Sequence, residues 1–140
     1  MATTGMGPKE YHGWWEIMND RVRIHGTKRQ ARLRDVPLVL APAVPRVSKD
    51  NFRKAMHERT GGRVTPYDLR RAFSRWMERA GVVRIRRKIC MGHAAGDVTA
   101  LYEQSDIDAY LVEDAATLRK WLNIADQETA TAVQPLRKVN

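Results

Sequence analysis

The first part of the chain carries short stretches in which apolar and polar residues alternate, a pattern typical of strands. In the second stretch, Val22 and Ile24 alternate with two arginines. Asn19-Asp20 is typical of a tight turn before that stretch, and residues 26–30 would form a basic hairpin tip after it. We therefore predict a small antiparallel sheet with strands over residues 14–18, 21–25 and 32–38.

After three prolines at positions 37, 42 and 45, the apolar spacing changes to three and four residues, which is typical of helices. Ser48 is a good N-cap for a helix over residues 49–60, which Gly61 would close. Thr65, with Pro66 directly after it, begins a second helix that Gly81 ends. Further helical patterns cover residues 84–91, 97–103 and 107–122.

These elements predict an α+β fold that is mostly α, with a three-stranded antiparallel sheet followed by a helical bundle. A length of 140 residues suits one domain with a sizeable core. We expect that domain to span residues 1–125, and residues 126–140 to form a flexible tail. The tryptophans are expected to pack within the fold rather than to stack on bases; they are Trp14, Trp15, Trp76 and Trp121.

The composition argues against several classes of protein. The longest apolar stretch, residues 36–44, contains two prolines and is far shorter than the roughly 20 residues of a membrane span. The N-terminus lacks a basic segment followed by an apolar one, so we expect a cytoplasmic location. Cys90 is the single cysteine, which excludes an internal disulfide and a CxxC zinc site. The common phosphate-loop, dinucleotide and metalloprotease motifs are absent, and we expect no cofactor.

Positive charge is concentrated in the middle of the chain. The formal net charge is +9, and residues 63–88 carry nine basic side chains against two acidic ones. Residues 103–128 reverse this balance, with seven acidic side chains against two basic ones. A polyanion is therefore the expected partner, and the basic middle segment is its expected contact surface.

Candidate chemistry lies at the predicted ends of elements. Lys28 falls on the hairpin tip, Tyr67 and Arg70 begin the second helix, His93 follows a helix break, and Tyr102 lies in the next helix. The planar guanidinium of Arg70 matches the oxygens of a phosphodiester and keeps its charge at neutral pH. We predict that Tyr102, Arg70 and His93 converge in one basic concavity.

Four segments and one tyrosine form motifs in a fixed order. They are Thr4-Gly5-Met6-Gly7-Pro8-Lys9-Glu10, the stretch from Gly26-Thr27-Lys28 to Arg34-Asp35-Val36-Pro37-Leu38, Thr65-Pro66-Tyr67-Asp68-Leu69-Arg70-Arg71-Ala72-Phe73, and Met91-Gly92-His93 with Tyr102 nine residues later. They resemble the TG(L/M)RxxE, TK…R.VPL, HxLR(H/R)xF and LGH segments of the tyrosine recombinases, the phage integrase family. The resemblance covers residues 4–122 and implies the fold of that family's catalytic domain.

The resemblance implies site-specific DNA recombination or integration without a metal or other cofactor. Tyr102 would attack the scissile phosphate and leave a 3′-phosphotyrosine, while Lys28 would protonate the departing 5′ oxygen. Arg70 and His93 would stabilise the phosphoryl oxygens. Tyr67 takes the place of the family's histidine and would donate a hydrogen bond to a phosphate oxygen or to the nucleophile.

The implied partners are double-stranded DNA and other recombinase subunits, in a bacterial, archaeal or phage-encoded setting. Further contacts with the DNA backbone are expected from Arg71, Arg86, Arg87 and Lys88. The helix over residues 107–122 would contribute to self-association, although its apolar stripe could equally pack within its own chain.

One departure bears on activity, because Gly7 occupies the position of the family's first catalytic arginine. Losing one such donor costs about 10² to 10³ in rate unless another cation, such as Lys9, replaces it. We therefore predict undetectable or very slow covalent attachment to DNA. The resemblance also implies a truncated catalytic domain, since the family's first helix and N-terminal arm precede the matching segments.

Other interpretations stay open. The chain could be a degenerate or truncated recombinase that only binds DNA or a partner, or a type IB topoisomerase, which shares the chemistry. Arg70 could belong to a solvated arginine face, and His93 could cap a helix terminus. Lys28 and the basic run over residues 84–88 could likewise be solvated, and Tyr102 could be a half-buried helical tyrosine.

Overall fold

The computed structural model describes residues 1–25, 33–42, 45–93 and 107–124. This part of the chain contains a three-stranded antiparallel sheet and five helices, so the protein has a mixed α+β fold that is mostly helical, as predicted. In chain order the elements are α1 (Pro8–Tyr11), β1 (Trp15–Met18), β2 (Arg21–Ile24), β3 (Arg34–Pro37), α2 (Lys49–Thr60), α3 (Pro66–Arg79), α4 (Arg84–Cys90) and α5 (Ile107–Leu122).

The sheet has the order β1-β2-β3, and its register follows the alternation of the sequence. Val22 lies opposite Val36, and both side chains are fully buried. On the other face, Arg23 lies opposite Asp35 and forms a two-pronged ion pair with it, with both N–O distances at 2.9 Å. The predicted hairpin tip over residues 26–30 lies outside the described residues.

The helices begin and end where the capping residues predict. The Ser48 hydroxyl accepts a hydrogen bond from the backbone N–H of Asn51 at 3.2 Å, and Gly61 ends α2 in the left-handed conformation. At the start of α3, Asp68 accepts hydrogen bonds from both the backbone N–H and the hydroxyl of Thr65. The predicted helix over residues 97–103 lies outside the part of the chain that the structure describes.

The core lies between one face of the sheet and helices α3 and α5. Trp15, Phe73, Met77 and Leu118 are at most 2 % exposed, and Cys90 lies among them. Burial raises the pKa of the Cys90 thiol to about 12, so this cysteine is an unreactive core residue.

Helix α5 packs within its own chain. Leu111 and Leu118 are buried, and Arg119 donates hydrogen bonds to the carbonyl oxygens of Leu38 and Val39 just after β3. The interpretation of the apolar stripe as a core contact is therefore confirmed. None of the helices in the described ranges is long and apolar enough to span a bilayer.

The four tryptophans differ in their burial. Trp15 is in the core and Trp76 packs against it, but Trp14 is 54 % exposed and Trp121 is 40 % exposed. Consecutive side chains of an extended segment point to opposite sides, so only one of Trp14 and Trp15 can enter the core. Trp14 instead stacks on the ring of His25, with ring centroids 3.7 Å apart.

Candidate active site and nucleic-acid interface

Arg70 is a buried residue that joins three distant segments. Its side chain leaves the first turns of α3, and the residue is only 8 % exposed. It donates hydrogen bonds to the carbonyl oxygen of Gly5 at 2.6 Å, to a carboxylate oxygen of Glu10 at 3.1 Å, and to the carbonyl oxygen of Met91. The alternative that Arg70 belongs to a solvated face is therefore wrong.

Glu10 is the shared acceptor of this network. The residue is 3 % exposed, and one of its carboxylate oxygens accepts hydrogen bonds from Arg70 and from the backbone N–H of Gly7 at 2.7 Å. Arg34, on β3, donates to both oxygens of the same carboxylate at 2.9 and 3.2 Å. The carboxylate of Glu10 thus fixes two guanidinium groups next to each other.

Arg34 completes the network on the other side. It is 5 % exposed, and its Nε donates to the carbonyl oxygen of Cys90 at 2.7 Å. Arg34 and Arg70 therefore bind the successive carbonyls of Cys90 and Met91, where α4 ends and where a helix carries partial negative charge. Two cations around one carboxylate leave a positive charge in this cluster, which we call the Arg34–Glu10–Arg70 network.

The backbone of the segment before α1 is shaped to fit this network. Gly5 has φ of +63°, and a Cβ there would lie 2.6 Å from Cδ1 of Phe73. Glycine is thus needed at position 5 both for its conformation and for the space. Its carbonyl is thereby directed at Arg70.

Gly7, by contrast, has an ordinary backbone with φ of −74° and ψ of 166°. A Cβ at this position would lie 3.6 Å from Oε2 of Glu10 and 3.9 Å from Nη1 of Arg70, which is normal contact distance. A side chain at position 7 would therefore start directly beside Arg70. Position 7, which the resemblance assigns to a catalytic arginine, is therefore adjacent to Arg70 in the structure.

His93 follows the C-terminus of α4 in a glycine-dependent turn. Gly92 has φ of +61°, its N–H donates to the carbonyl of Ile89, and the N–H of His93 donates to the carbonyl of Lys88 at 3.1 Å. His93 thus caps the helix through its backbone, while its side chain is exposed and lines a pocket with Ser74. The capping alternative is therefore correct for the main chain of His93.

Tyr67 and His93 open onto different depressions. Tyr67 is 58 % exposed and lines a groove of about 1000 Å³ between α2 and the start of α3, whereas His93 lines the smaller pocket between α3 and α4. Along α3, Arg70 comes between Tyr67, which lines the first depression, and Ser74, which lines the second. Arg70 also donates a hydrogen bond to the carbonyl of Met91, just before Gly92 and His93. Lys28 and Tyr102 lie outside the described residues, so the convergence of Tyr102 with Arg70 and His93 stays a prediction.

The groove beside Tyr67 is strongly basic. Helix α2 forms one side and buries none of its residues, while Pro8, Val64 and Pro66 contribute to the other. Its acidic side chains are Asp50 and Glu58, and its basic ones are Lys9, Lys49, Arg53, Lys54 and His57. We call this surface the α2 groove. Sequence reasoning placed the positive surface after residue 63 and missed this part of it.

The residues predicted to contact the DNA backbone differ in their availability. Arg71 is exposed and pairs with Asp68 at 3.0 Å, and Arg87 pairs with Glu78 at 2.8 Å. Arg86 lies between α4 and α5, where it pairs with Glu113 at 3.0 Å and Asp114 at 3.2 Å. Lys88 is exposed and has no ion pair among the described residues.

Asp114 is a second buried acid in the described part of the chain. It is 2 % exposed, and its Oδ2 has no hydrogen-bond partner. Burial raises the pKa of this carboxyl to about 6; Arg86 opposes the shift and Glu113 adds to it. Asp114 therefore carries an energetically costly charge at neutral pH.

Within the described ranges, no group of three or more histidine, cysteine or acidic residues is arranged to hold a metal ion. In comparisons with known proteins, no family model matches the chain, and neither a characterised protein nor a solved structure matches it significantly. The function is therefore argued from the site itself.

Sequence reasoning noted Glu10 and Arg34 within their motifs but gave them no role. A signal for Arg34 was present, because strand alternation places it on the same face as Val36, which is buried. No comparable signal marks Glu10, since α1 has only four residues and too few turns to show a period.

Proposed function

We propose that this chain is part of a tyrosine recombinase catalytic domain, acting in site-specific breakage and rejoining of double-stranded DNA. One observation carries the proposal: the segments quoted for the resemblance meet around a single buried network. Glu10, Arg34 and Arg70 come from three of these segments, and the network binds the carbonyl of Met91 from the fourth. Contacts between residues 60 positions apart are not implied by local sequence, so their meeting is independent support.

The proposed chemistry is a pair of phosphoryl transfers. The phenolic oxygen of Tyr102 forms a bond to the scissile phosphorus as the bond to the 5′ oxygen breaks, and Lys28 gives that oxygen its proton. In rejoining, a 5′ hydroxyl attacks the phosphotyrosine and releases the phenol. Arg70 and His93 stabilise the charge on the non-bridging oxygens. The roles of Tyr102 and Lys28 rest on the resemblance alone.

DNA binding is supported by a separate observation, the exposed cations of the α2 groove. Lys9, Lys49 and Arg53 have no ion pair among the described residues, so they are available to phosphate oxygens. Tyr67 lies at one end of the groove and connects it to α3, which carries Arg70. A duplex bound along the groove would pass close to the proposed site.

Gly7 supports the second candidate function, a DNA- or partner-binding module that does not cleave. The position next to Arg70 has no side chain, and Lys9, the nearest alternative cation in sequence, is exposed and faces the α2 groove. In this alternative, the network keeps its structural role and the chain binds DNA as a recombinase partner. The two functions differ in whether the site forms a covalent adduct once an arginine is restored at position 7.

The deciding experiment is a trap for the covalent adduct. A pool of labelled duplexes of randomised sequence, each with a nick near the centre, is incubated with the chain; loss of the short nicked fragment prevents rejoining. We expect undetectable or very slow adduct formation with the unchanged chain and a measurable adduct with Gly7→Arg, because position 7 has an ordinary backbone and accepts a Cβ at normal contact distance.

The control is Gly7→Arg combined with Tyr102→Phe, which removes the nucleophilic oxygen and should abolish the adduct. An adduct that survives this change would mean that another residue is the nucleophile. Absence of an adduct with Gly7→Arg, while the protein still binds the duplexes, would favour the binding module. Efficient adduct formation by the unchanged chain would show that another cation replaces the arginine.

A further inference from the structure

A small basic pocket lies between α3 and α4, separate from the α2 groove. Its volume is about 400 Å³. Ser74 and Glu78 contribute from α3, whereas Met91 and His93 close the end beyond α4. The remaining lining residues come from α4 and are Arg84, Arg87 and Lys88.

The charges around this pocket are unbalanced. Among the described residues that line it, the acidic one is Glu78, which is already bound to Nη1 of Arg87 at 2.8 Å. Arg84 and Lys88 are exposed and have no ion pair among the described residues. Two uncompensated cations therefore face the same concave surface, together with the hydroxyl of Ser74 as a neutral donor.

Arg87 is a third cation among the residues that line the pocket. Its Nη1 is engaged by Glu78, but its Nε is buried and has no hydrogen-bond partner in the structure. A buried N–H without an acceptor is uncommon in folded proteins. Because Nε is buried, it is not open to the pocket, and Arg87 contributes to the pocket through the positive charge of its guanidinium.

We propose that this pocket binds a phosphate oxyanion, held by Arg84 and Lys88, with Ser74 donating a hydrogen bond. A phosphate has several acceptor oxygens pointing in different directions, which suits donors that come from two helices. The inference deepens the proposed function, and its DNA arm rests on that function. The phosphate could belong to a DNA backbone near the proposed site or to a free phosphate-bearing molecule.

The test is a titration of the isotope-labelled chain with inorganic phosphate, followed by the amide signals of Ser74, Lys88 and His93 in NMR spectra. We expect saturable shifts in the unchanged chain. The double variant Arg84→Ala/Lys88→Ala should weaken the phosphate Kd by at least about tenfold, since it removes both uncompensated cations. Both side chains are exposed, and alanine favours helix, so the fold should be retained.

The matched control is Arg75→Ala/Arg79→Ala, which removes the same charge from exposed positions of α3 outside the pocket. We expect its phosphate Kd to stay within twofold of the unchanged chain. Absence of saturable shifts, or equal weakening by both double variants, would overturn the proposal, because binding would then reflect net charge alone.

A competition arm identifies the source of the phosphate. If the pocket takes a backbone phosphate, duplex DNA should displace inorganic phosphate, and Arg84→Ala/Lys88→Ala should weaken DNA binding more than the control does. If DNA leaves the phosphate-induced shifts unchanged, the pocket serves a free phosphate-bearing ligand. The phosphate titration does not require DNA, so failure of the proposed function would be visible separately.

Discussion

Two groups of cations in this protein have the same chemistry and opposite environments. In the Arg34–Glu10–Arg70 network, both arginines are less than a tenth exposed, and each donates to a carboxylate and to backbone carbonyls. Along the α2 groove, the cations lie on a helix that buries none of its residues. The network joins segments far apart in the chain, whereas the groove presents charge to solvent.

The difference shows why net charge is an incomplete guide to function. The net charge of +9 includes arginines that are buried and paired within the fold, such as Arg34. It also includes exposed cations, such as Lys49, that remain available to a partner. Removing a member of the first group leaves a buried charge uncompensated, which is costly. Removing a member of the second changes only a long-range attraction that salt screens.

The largest expected effect is on the stability of the protein, and it distinguishes the buried cations of the network from the exposed cations of the α2 groove. Glu10→Gln keeps the size of the side chain but leaves the guanidiniums of Arg34 and Arg70 without their shared negative charge. We expect the free energy of unfolding to fall by about 3 to 5 kcal/mol, measured by urea denaturation. The control on α2, Glu58→Gln, should change it by less than about 0.5 kcal/mol, because Glu58 is exposed. Similar losses for both variants would mean that the network does not constrain the fold.

A second comparison uses two glycines with nearly the same backbone conformation. Gly5, beside the network, has φ of +63°, and Gly61, at the end of α2, has φ of +59°. A Cβ at Gly5 would meet Phe73 at 2.6 Å, while a Cβ at Gly61 would have no atom within 4 Å. We expect Gly5→Ala to cost about 3 kcal/mol and Gly61→Ala about 1 kcal/mol, because only the first adds a steric clash to the backbone strain.

Thermal or urea unfolding of the two alanine variants measures this difference. Because the backbone strain is common to both, subtraction isolates the contact with Phe73, which is 1 % exposed and cannot move into solvent without opening the core. Equal losses would show that the core beside the network accommodates the extra methyl group. The segment before α1 would then be less tightly constrained than its hydrogen bonds to Arg70 suggest.

Local patterns predicted most of the secondary structure, for identifiable reasons. Alternation along β2 and the caps Ser48 and Thr65 act over a few residues, so they are visible in sequence. Helix α1 escaped prediction because four residues give no period. The exposure of Trp14 also escaped, since its neighbour Trp15 occupies the core side of the segment.

The residue types of the site could be predicted from the sequence, but the hydrogen bonds that join them could not. Arg70 and His93 were selected from motif order, but the burial of Arg70 depends on Glu10, which is 60 positions away. Likewise, Arg34 binds a carbonyl 56 positions away. Such contacts are set by the packing of the sheet on α3 and α4, and a single sequence does not contain that information in local form.

An intermediate case lies between α4 and α5, where the buried Asp114 pairs with the partly exposed Arg86. The pKa of Asp114 is raised to about 6 in the folded protein, so the folded state binds the proton more tightly than the unfolded state does. The resulting stability is present below the ordinary carboxyl pKa and is lost as the pH rises through about 6. We expect a loss of about 3 kcal/mol across this range.

Asp114→Asn should remove this part of the pH dependence. The difference in stability between the variant and the unchanged chain should therefore favour the variant more near pH 8 than near pH 4. Urea denaturation at a series of pH values measures both effects. Asp50→Asn is the control, because the carboxyl of Asp50 is exposed on α2, outside this ion-pair cluster, and the variant should keep the pH dependence of the unchanged chain. Parallel pH curves for the unchanged chain and Asp114→Asn would contradict the raised pKa.

The smallest effect on stability is expected in the α2 groove, where the comparison predicts a large effect on binding instead. Lys49→Ala/Arg53→Ala removes two exposed cations, and the free energy of unfolding should change by less than about 0.5 kcal/mol. If the groove follows a DNA backbone, each lost phosphate contact lowers the salt slope of binding by about 0.9, so the double variant should lower it by about 2. Titrating a labelled duplex at several salt concentrations measures that slope.

The charge-matched pair Arg79→Ala/Lys120→Ala lies outside the groove and should leave the slope nearly unchanged. Equal slopes for the two variants would mean that DNA responds to the net charge rather than to this surface, and the division between structural and binding cations would then hold for the network alone.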